Sequence, residues 1–344
     1  MFPSERRVAI RQFLDRTDWN DAEASLLAGD ASFRRYYRLR RGAEQAVLMD
    51  APPPKEDVRP FVAIAEMLCR HGLSAPRILA QDTAAGLLLL EDFGDATYTR
   101  VLTDGMDETV LYGIALDALI ALHRGYDATA ALPAYDERRL LDEAALLVDW
   151  YLPALRGMPT SPELRAEYLA LWQAVLPVAR GVANTLVLRD FHVDNLMLLS
   201  DRDGARACGL LDFQDAVIGP LTYDLVSLFE DARRDVPGPL ARILLDRYLA
   251  AFPDIDRNAF AASYAVMGAQ RSAKILGIFT RLDRRDGKPH YLHHIPRVWR
   301  WLEGDLKHTA LAPLARWFDR EIAAECRVAP PPLSPPLSPR GTDR

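Results

Sequence analysis

The chain has little cysteine: 3 residues in 344, Cys69, Cys208 and Cys326, far apart and without metal-like pairing. That argues against a disulfide framework and for a reducing compartment. Long apolar runs are also missing. The best candidate, Val110 to Leu122, is broken by Asp117 and carries Leu111, Ile114, Ala115, Ala118, Leu119 and Leu122 at helical spacing, as a buried helix of a soluble domain does. Met1 to Trp19 is studded with charge and lacks the apolar centre of a signal peptide, so the expected location is the cytoplasm, with no membrane partner. Nor is there an excess of basic charge. A formal net charge of -6 argues against a nucleic-acid binder, because nonspecific affinity for phosphate backbones comes from a basic surface. The pattern G-x-x-x-x-G-K-[ST] is absent, which excludes a P-loop, and no internal repeat is present.

What is present is concentrated in one stretch. Thr185-Leu186-Val187-Leu188 is a short apolar run suited to a buried strand, and a loop begins at Arg189. Asp190 is followed five positions on by Asn195, and Leu196 to Leu199 and Ala207 to Leu211 read as the strands of a hairpin turning at Ser200 to Gly204. Asp212 then stands at the end of the returning strand. Antiparallel neighbours lie roughly 5 Å apart, so the side chains of Asn195 and Asp212 are expected to grip one cation. A carboxylate with an amide oxygen is a hard, incomplete shell that suits Mg2+ completed by water and phosphate oxygens. Asp190, at the near end of the loop, would face an acceptor hydroxyl and take its proton. This is the equipment of phosphoryl transfer from a magnesium nucleotide. An isolated D-x-x-x-x-N pattern is common in turns, and the hairpin context with the second Asp is what gives it weight.

Near residue 92 short strand-like runs give way to long helical patterns, an α+β composition. The expected organisation is a small N-terminal antiparallel β-sheet lobe with one helix (1–91), a larger and mainly helical C-terminal lobe (92–328), and a proline-rich tail (329–344) that cannot form helix or central strand. Strands are expected over Phe33 to Leu39, Ala46 to Met49 and Gly86 to Leu90, with a helix from Pro60 to Arg70. Further helices are expected over Glu108 to Arg124, Arg138 to Tyr151, Pro162 to Ala179 with Ser161 as cap, Thr222 to Ala232, Pro239 to Ala251, Arg257 to Leu282 and Ile295 to His308, with Arg281 to Lys288 as a charged surface loop. In the arginine-rich strand, alternation puts Arg34, Tyr36, Arg38 and Arg40 on one side and Arg35, Tyr37, Leu39 and Arg41 on the other.

The order of these elements resembles the aminoglycoside phosphotransferase and choline kinase family, which has the bilobal protein-kinase-like fold, and within it the bacterial anomeric kinases of N-acetylmuramate and N-acetylglucosamine. The likeness is carried by Gly29 to Leu39, Leu48 to Pro53, Leu90 to Asp95, Arg189 to Asn195, Leu211 to Asp215, Gly219 to Leu225 and Arg285 to Lys288. The resemblance implies ATP and Mg2+, with Asp190 catalytic, Asn195 and Asp212 holding the metal, and Asp224 bracing the loop from the first turn of a helix. It also puts nucleotide contacts at Ser32, Phe33 and Arg34 and at the connection Glu91 and Asp92, where backbone groups would meet the adenine edge. Two departures stand out. The family's strand lysine is expected near Met49, yet Val47 to Asp50 contains none, so either Arg34 or a neighbour, or Lys55, must supply the charge, and the role of Glu66 is left open. Leu188 replaces a histidine two residues before the catalytic Asp.

For the acceptor, His192, Asp194, Gln214 and Asp215 are nearest Asp190 in sequence, and each either bonds a sugar hydroxyl or acetamido group or braces the loop. Arg271 and Lys274 share a helix face and could meet an anionic group such as the lactyl carboxylate of N-acetylmuramate. The partner that the resemblance implies is a small amino sugar, its anomeric hydroxyl phosphorylated in recycling of cell-wall sugars. The alternatives are an aminoglycoside- or choline-type phosphotransferase and a non-catalytic nucleotide-binding pseudokinase scaffold.

Overall fold

The structure, a computed structural model, describes residues 2–29, 33–126 and 132–332. The chain packs as two compact units, one of Met1–Ala130 with Leu188–Ala216, the other of Ala131–Val187 with Val217–Arg344. In the first unit β1 (Glu23–Gly29), β2 (Arg35–Arg41), β3 (Glu44–Asp50), β4 (Ile78–Asp82) and β5 (Leu87–Glu91) form an antiparallel sheet in the order β1-β2-β3-β5-β4. With it come helices α1 (Arg7–Leu14), α2 (Arg59–Arg70), α3 (Tyr98–Thr103) and α4 (Glu108–Gly125). Sheet does give way to helix after Glu91, but packing places residues 92–130 and 188–216 in the same unit as the sheet.

Burial along β2 departs from the expected alternation, because Tyr37, Arg38 and Leu39 are buried in succession. Tyr37 and Leu39 join Ala46, Leu48, Leu87 and Leu89 in a core closed by Ile10, Phe13 and Leu14 of α1 and by Trp19. Helix α1 is a second helix in the N-terminal part, beyond the one expected; it is only 8 residues long, and its three buried side chains are scattered among arginines. Arg38 is buried too, in the same strand.

The chain next enters the second unit as α5 (Glu137–Leu146), α6 (Leu152–Arg156), α7 (Pro162–Ala179) and β6 (Asn184–Val187). It returns to the first unit for the two-stranded ribbon β7 (Leu196–Leu198) and β8 (Cys208–Leu210). Then β9 (Val217–Pro220) pairs with β6, and α8 (Tyr223–Phe229), α9 (Gly238–Ala251), α10 (Arg257–Asp286), α11 (Ile295–Asp305) and α12 (Ala312–Glu321) complete the second unit. Ser161 caps α7 as expected: its hydroxyl accepts from the Leu164 N–H at 3.2 Å, with Pro162 in the first turn.

Two elements differ from the sequence reading. The helix expected to run straight from Arg138 to Tyr151 is α-helical only to Leu146, continues as a π turn over Leu147–Tyr151, and resumes as α6. The backbone of Leu146 lies so close to α10 that a Cβ on Gly277 would sit 2.3 Å from the Leu146 carbonyl carbon. A contact between positions so far apart in the chain leaves no local signal. The stretch Arg281 to Lys288, expected as a loop, instead forms the last turns of α10. It ends at Gly287, whose φ of 65° supplies the left-handed cap, while Arg284 and Arg285 sit in the last turn where the helix dipole favours cations.

The second unit also buries a pair of acids. Glu230 and Asp305 hydrogen-bond each other, Tyr264 bonds Glu230, and the Glu230 Oε2 and Asp305 Oδ2 atoms are sealed from water. Burial pushes the Glu230 carboxyl up to about 7, with Arg271 nearby opposing the shift, and burial and the charge of Glu230 push Asp305 up as well. Both groups therefore hold protons in the folded chain that the unfolded chain has released by about pH 5. Their contribution is fully present below the ordinary carboxylate range and is lost as pH rises through about 7. The expected result is a melting temperature that falls between pH 6 and pH 8.5, and a Glu230→Gln protein that melts a few degrees higher than the parent at pH 8.5 but not at pH 5. A thermal melt at the three pH values checks it; an unchanged slope in the variant contradicts it.

Candidate active site

The loop after β6 is tightly wound by its own backbone. Arg189 has a φ of 72°, and N–H groups then donate from Asp190 to the Leu188 carbonyl at 2.9 Å, from His192 to the Asp190 carbonyl at 3.2 Å, and from Asn195 to the His192 carbonyl at 2.9 Å. The Asn195 side chain closes the turn, because its Nδ2 donates to the Asp190 carbonyl at 3.1 Å and lies 3.4 Å from His192 Nε2. With the nitrogen turned into the loop, Oδ1 is the end of the amide left to accept. Asp190 is half-buried at the far side of the same turn.

Across the ribbon the register fixes the partner. Leu196 faces Leu210, and the next bond outward runs from the Leu211 N–H to the Asn195 carbonyl at 3.0 Å. Asn195 and Asp212 thus occupy neighbouring rungs at the open end of β7 and β8. Asp212 has a φ of 57°, a left-handed conformation that Asp tolerates better than most residues. Its Oδ1 accepts from Gln214 Nε2 at 2.8 Å and lies 3.8 Å from Arg34 Nη1. The next residue, Phe213, is fully buried and stacks on Phe61 of α2 with ring centres 4.8 Å apart, an anchor worth about 0.5–1.5 kcal/mol beyond its burial.

The remaining expected residues fall into several settings. Ser32 lies outside the described residues. Phe33 is 58% exposed; its N–H donates to Glu56 Oε1 at 3.2 Å and its ring carries the Lys55 ammonium at 4.3 Å. The carboxylates of Glu91 and Asp92 are both engaged, Glu91 by Arg202 and Arg77, Asp92 by Arg38. His192 is buried under the loop, Asp194 accepts from the Thr99 hydroxyl, and Gln214 lies within 3.5 Å of Asp215. Arg271 belongs to the second unit, buried, its Nη2 donating to Ser227 Oγ at 2.8 Å; Lys274 there meets Glu143 at 3.3 Å and Tyr223 at 3.2 Å. Both basic residues belong to a buried polar row within the second unit. Asp224 is fully buried in the first turn of α8.

Sequence reading missed Arg38 as the clamp on the connection after β5. Its guanidinium donates through Nε and Nη2 to both oxygens of Asp92 at 2.5 and 3.0 Å, through Nη1 to Asp95 at 2.8 Å, and through Nη2 to the Gly94 carbonyl at 3.0 Å. On the far side of the connection Phe93 packs against Gly209 of β8 and under Arg202, whose guanidinium lies 5.3 Å from the ring centre. The signal was available in part: an arginine-rich strand and an acidic Glu-Asp-Phe-Gly-Asp segment ask to be paired. Glu56 was missed without any such signal.

No group of three or more His, Cys, Asp or Glu side chains suited to hold a metal occurs among the described residues. Asn195 and Asp212 offer one amide oxygen and one carboxylate, a hard donor set of the kind that magnesium accepts alongside water and phosphate oxygens.

The sequence pattern of the phosphotransferase enzyme family matches residues 23–261. The chain belongs to that family. Relatives of this family member include a protein of Caulobacter vibrioides named N-acetylmuramate/N-acetylglucosamine kinase, 40% identical over 94% of this chain and 99% of that one. A protein of the same name in Pseudomonas aeruginosa is 43% identical over 82% of this chain and 83% of its own. Among solved structures, a choline/ethanolamine kinase family protein from Mesorhizobium loti superposes with a TM-score of 0.61 over 90% of this chain and 98% of that one, at 12% identity. The phosphotransferase fold is thus kinase-like, α+β, with its antiparallel sheet in the N-terminal part and a mainly helical C-terminal part. No helix of the described residues is long and apolar enough to cross a membrane.

Proposed function

We propose that this phosphotransferase moves the γ-phosphate of ATP to the anomeric hydroxyl of N-acetylmuramate, N-acetylglucosamine or both, in cytoplasmic recycling of cell-wall sugars. The observation that supports the reading is the ribbon end itself, where the Leu211 N–H bonds the Asn195 carbonyl and the Asn195 amide closes the loop on the Asp190 carbonyl, so that residues 190, 195 and 212 share one loop and hairpin. The substrate class follows from the relatives named above.

Asp190 orients the sugar hydroxyl and accepts its proton as the bond to phosphorus forms. A carboxylate of ordinary basicity is adequate, because the anomeric hydroxyl is the most acidic on such a sugar and the transition state is loose. Asn195 Oδ1 and Asp212 would hold Mg2+, which when bound neutralises charge on the phosphate oxygens. The nucleotide lies along Phe33 and Arg34 and the backbone of Glu91 to Asp92, whose side chains are already engaged by arginines. On the acceptor side stand Gln214, Asp215, His192 and Asp194.

The test is a product assay with labelled ATP and N-acetylmuramate, N-acetylglucosamine, their 1-O-methyl glycosides, choline and an aminoglycoside. Label is expected on the two free sugars and not on the glycosides, whose anomeric oxygen is blocked. Transfer only to choline or to the aminoglycoside rejects the substrate assignment, and no transfer to any acceptor supports a nucleotide-binding scaffold.

A further inference from the structure

A nucleotide triphosphate needs cationic contacts beyond a metal ion, and β3, the strand in the middle of the sheet, offers none: Glu44 to Asp50 contains no lysine or arginine, and Met49 is buried. A basic group close to the proposed metal ligand comes instead from the residue just before β2. Arg34 is only 11% exposed at its side chain, with Nη1 3.8 Å from Asp212 Oδ1 and Nε 3.6 Å from Glu56 Oε2. Glu56 uses its other oxygen, Oε1, on the Phe33 N–H at 3.2 Å, so one carboxylate holds two consecutive residues of the turn. Lys55, by contrast, is exposed and lies over the Phe33 ring.

We propose that Arg34, positioned by Glu56, grips the terminal phosphates of the nucleotide beside Asp212 and so replaces a lysine on β3. The inference rests on the assignment of Asp212 to the magnesium nucleotide. Its physical basis is a guanidinium that stays charged at any working pH, offers a rigid fork for phosphate oxygens, and is held by a carboxylate instead of being left to its own rotamer freedom. Arg34 is the group that contacts the substrate. Glu56 acts through it.

A charge-assisted contact of this kind is worth about 10- to 100-fold in affinity. Arg34→Met should weaken ATP and ADP binding by about that factor, Glu56→Gln by about 3- to 10-fold, and both should leave adenosine binding unmoved, because adenosine has no phosphate to lose. In the double variant Glu56→Gln should add nothing to Arg34→Met, the mark of a residue that works through its partner. Titration calorimetry with the full chain, Mg2+ and the three ligands reads all of this, and adenosine binding doubles as the check on folding. The proposal is overturned if Arg34→Met binds ATP within about twofold of the parent, if adenosine weakens in step with ATP, or if Lys55→Met shows the loss instead. If circular dichroism shows Arg34→Met unfolded, Glu56→Gln decides alone: an unchanged ATP affinity overturns the inference. Asp212→Asn separates the levels. Weakened Mg2+-ATP binding there with none in Arg34→Met sinks the arginine inference only, whereas unchanged binding and turnover in Asp212→Asn sinks the underlying site.

Discussion

Replacing Asp190 by Asn is expected to leave a folded protein that binds ATP as the parent does and turns over about 10²- to 10⁴-fold more slowly. Asn keeps the size of the side chain and its ability to accept from an alcohol, so the sugar can still be oriented; what is lost is the place for the proton. The backbone carbonyl of residue 190, which accepts from Asn195 Nδ2 and from the His192 N–H, is untouched by the change, so the loop should hold its shape. The loss should therefore fall on kcat, with KM for ATP within about twofold. Steady-state kinetics with each sugar, together with ATP titration of the variant, make the measurement. A variant that keeps more than about a tenth of the parent kcat would remove Asp190 from the chemistry.

Arg38→Met should destabilise the first unit by about 3–5 kcal/mol. Arg38 and Asp92 are 7% and 4% exposed at their side chains, so removing the guanidinium leaves the Asp92 carboxylate buried without its main partner. The strength of the pair is also seen in Arg38 itself, whose pKa is raised chiefly by its hydrogen bonds to Asp92. The cause can be isolated. Removing the stranded charge as well, in Arg38→Met with Asp92→Asn, should restore part of the loss, since an uncompensated buried ion and not a missing attraction is what costs most. Arg38→Lys should fall between, because an ammonium cannot span both oxygens of Asp92 and reach Asp95 and Gly94 as the fork does. Urea unfolding followed by tryptophan fluorescence checks all three. Because the clamp shapes the stretch proposed to meet adenine, a raised KM for ATP should accompany the lost stability.

The site was legible in the sequence to the extent that it is local. Asp190, Asn195 and Asp212 lie within one loop and hairpin, so spacing alone put Asn195 and Asp212 at the open end of one ribbon, and the observed β7 and β8 fall inside the runs that were read as strands. Ser161 and Pro162 likewise announce α7 because capping depends on adjacent residues. What escaped depends on contacts between distant positions. The short strands β1, β4 and β9 have mixed or brief patterns and are strands because the sheet or β6 offers them a ladder. The π turn after Leu146 begins where Gly277 of α10 lies against the chain, and the arginines of β2 carry no local mark to separate Arg38, buried on acids, from Arg40, exposed to water. Glu56 is one charge in a proline-rich loop until the fold brings Arg34 to it.

The first unit is not contiguous in the chain: Ser74 bonds the Arg206 carbonyl and pairs with Gly209, and Ala96 accepts from Leu198, so the sheet and the ribbon are joined by residues more than a hundred positions apart. During synthesis the sheet must wait, with its ribbon-facing side uncovered, until Ala216 has cleared the ribosome. At ordinary elongation rates that is on the order of ten seconds after Ala130 is added. The ribbon end of a nascent chain is therefore completed late, after α5 to α7 have already been made.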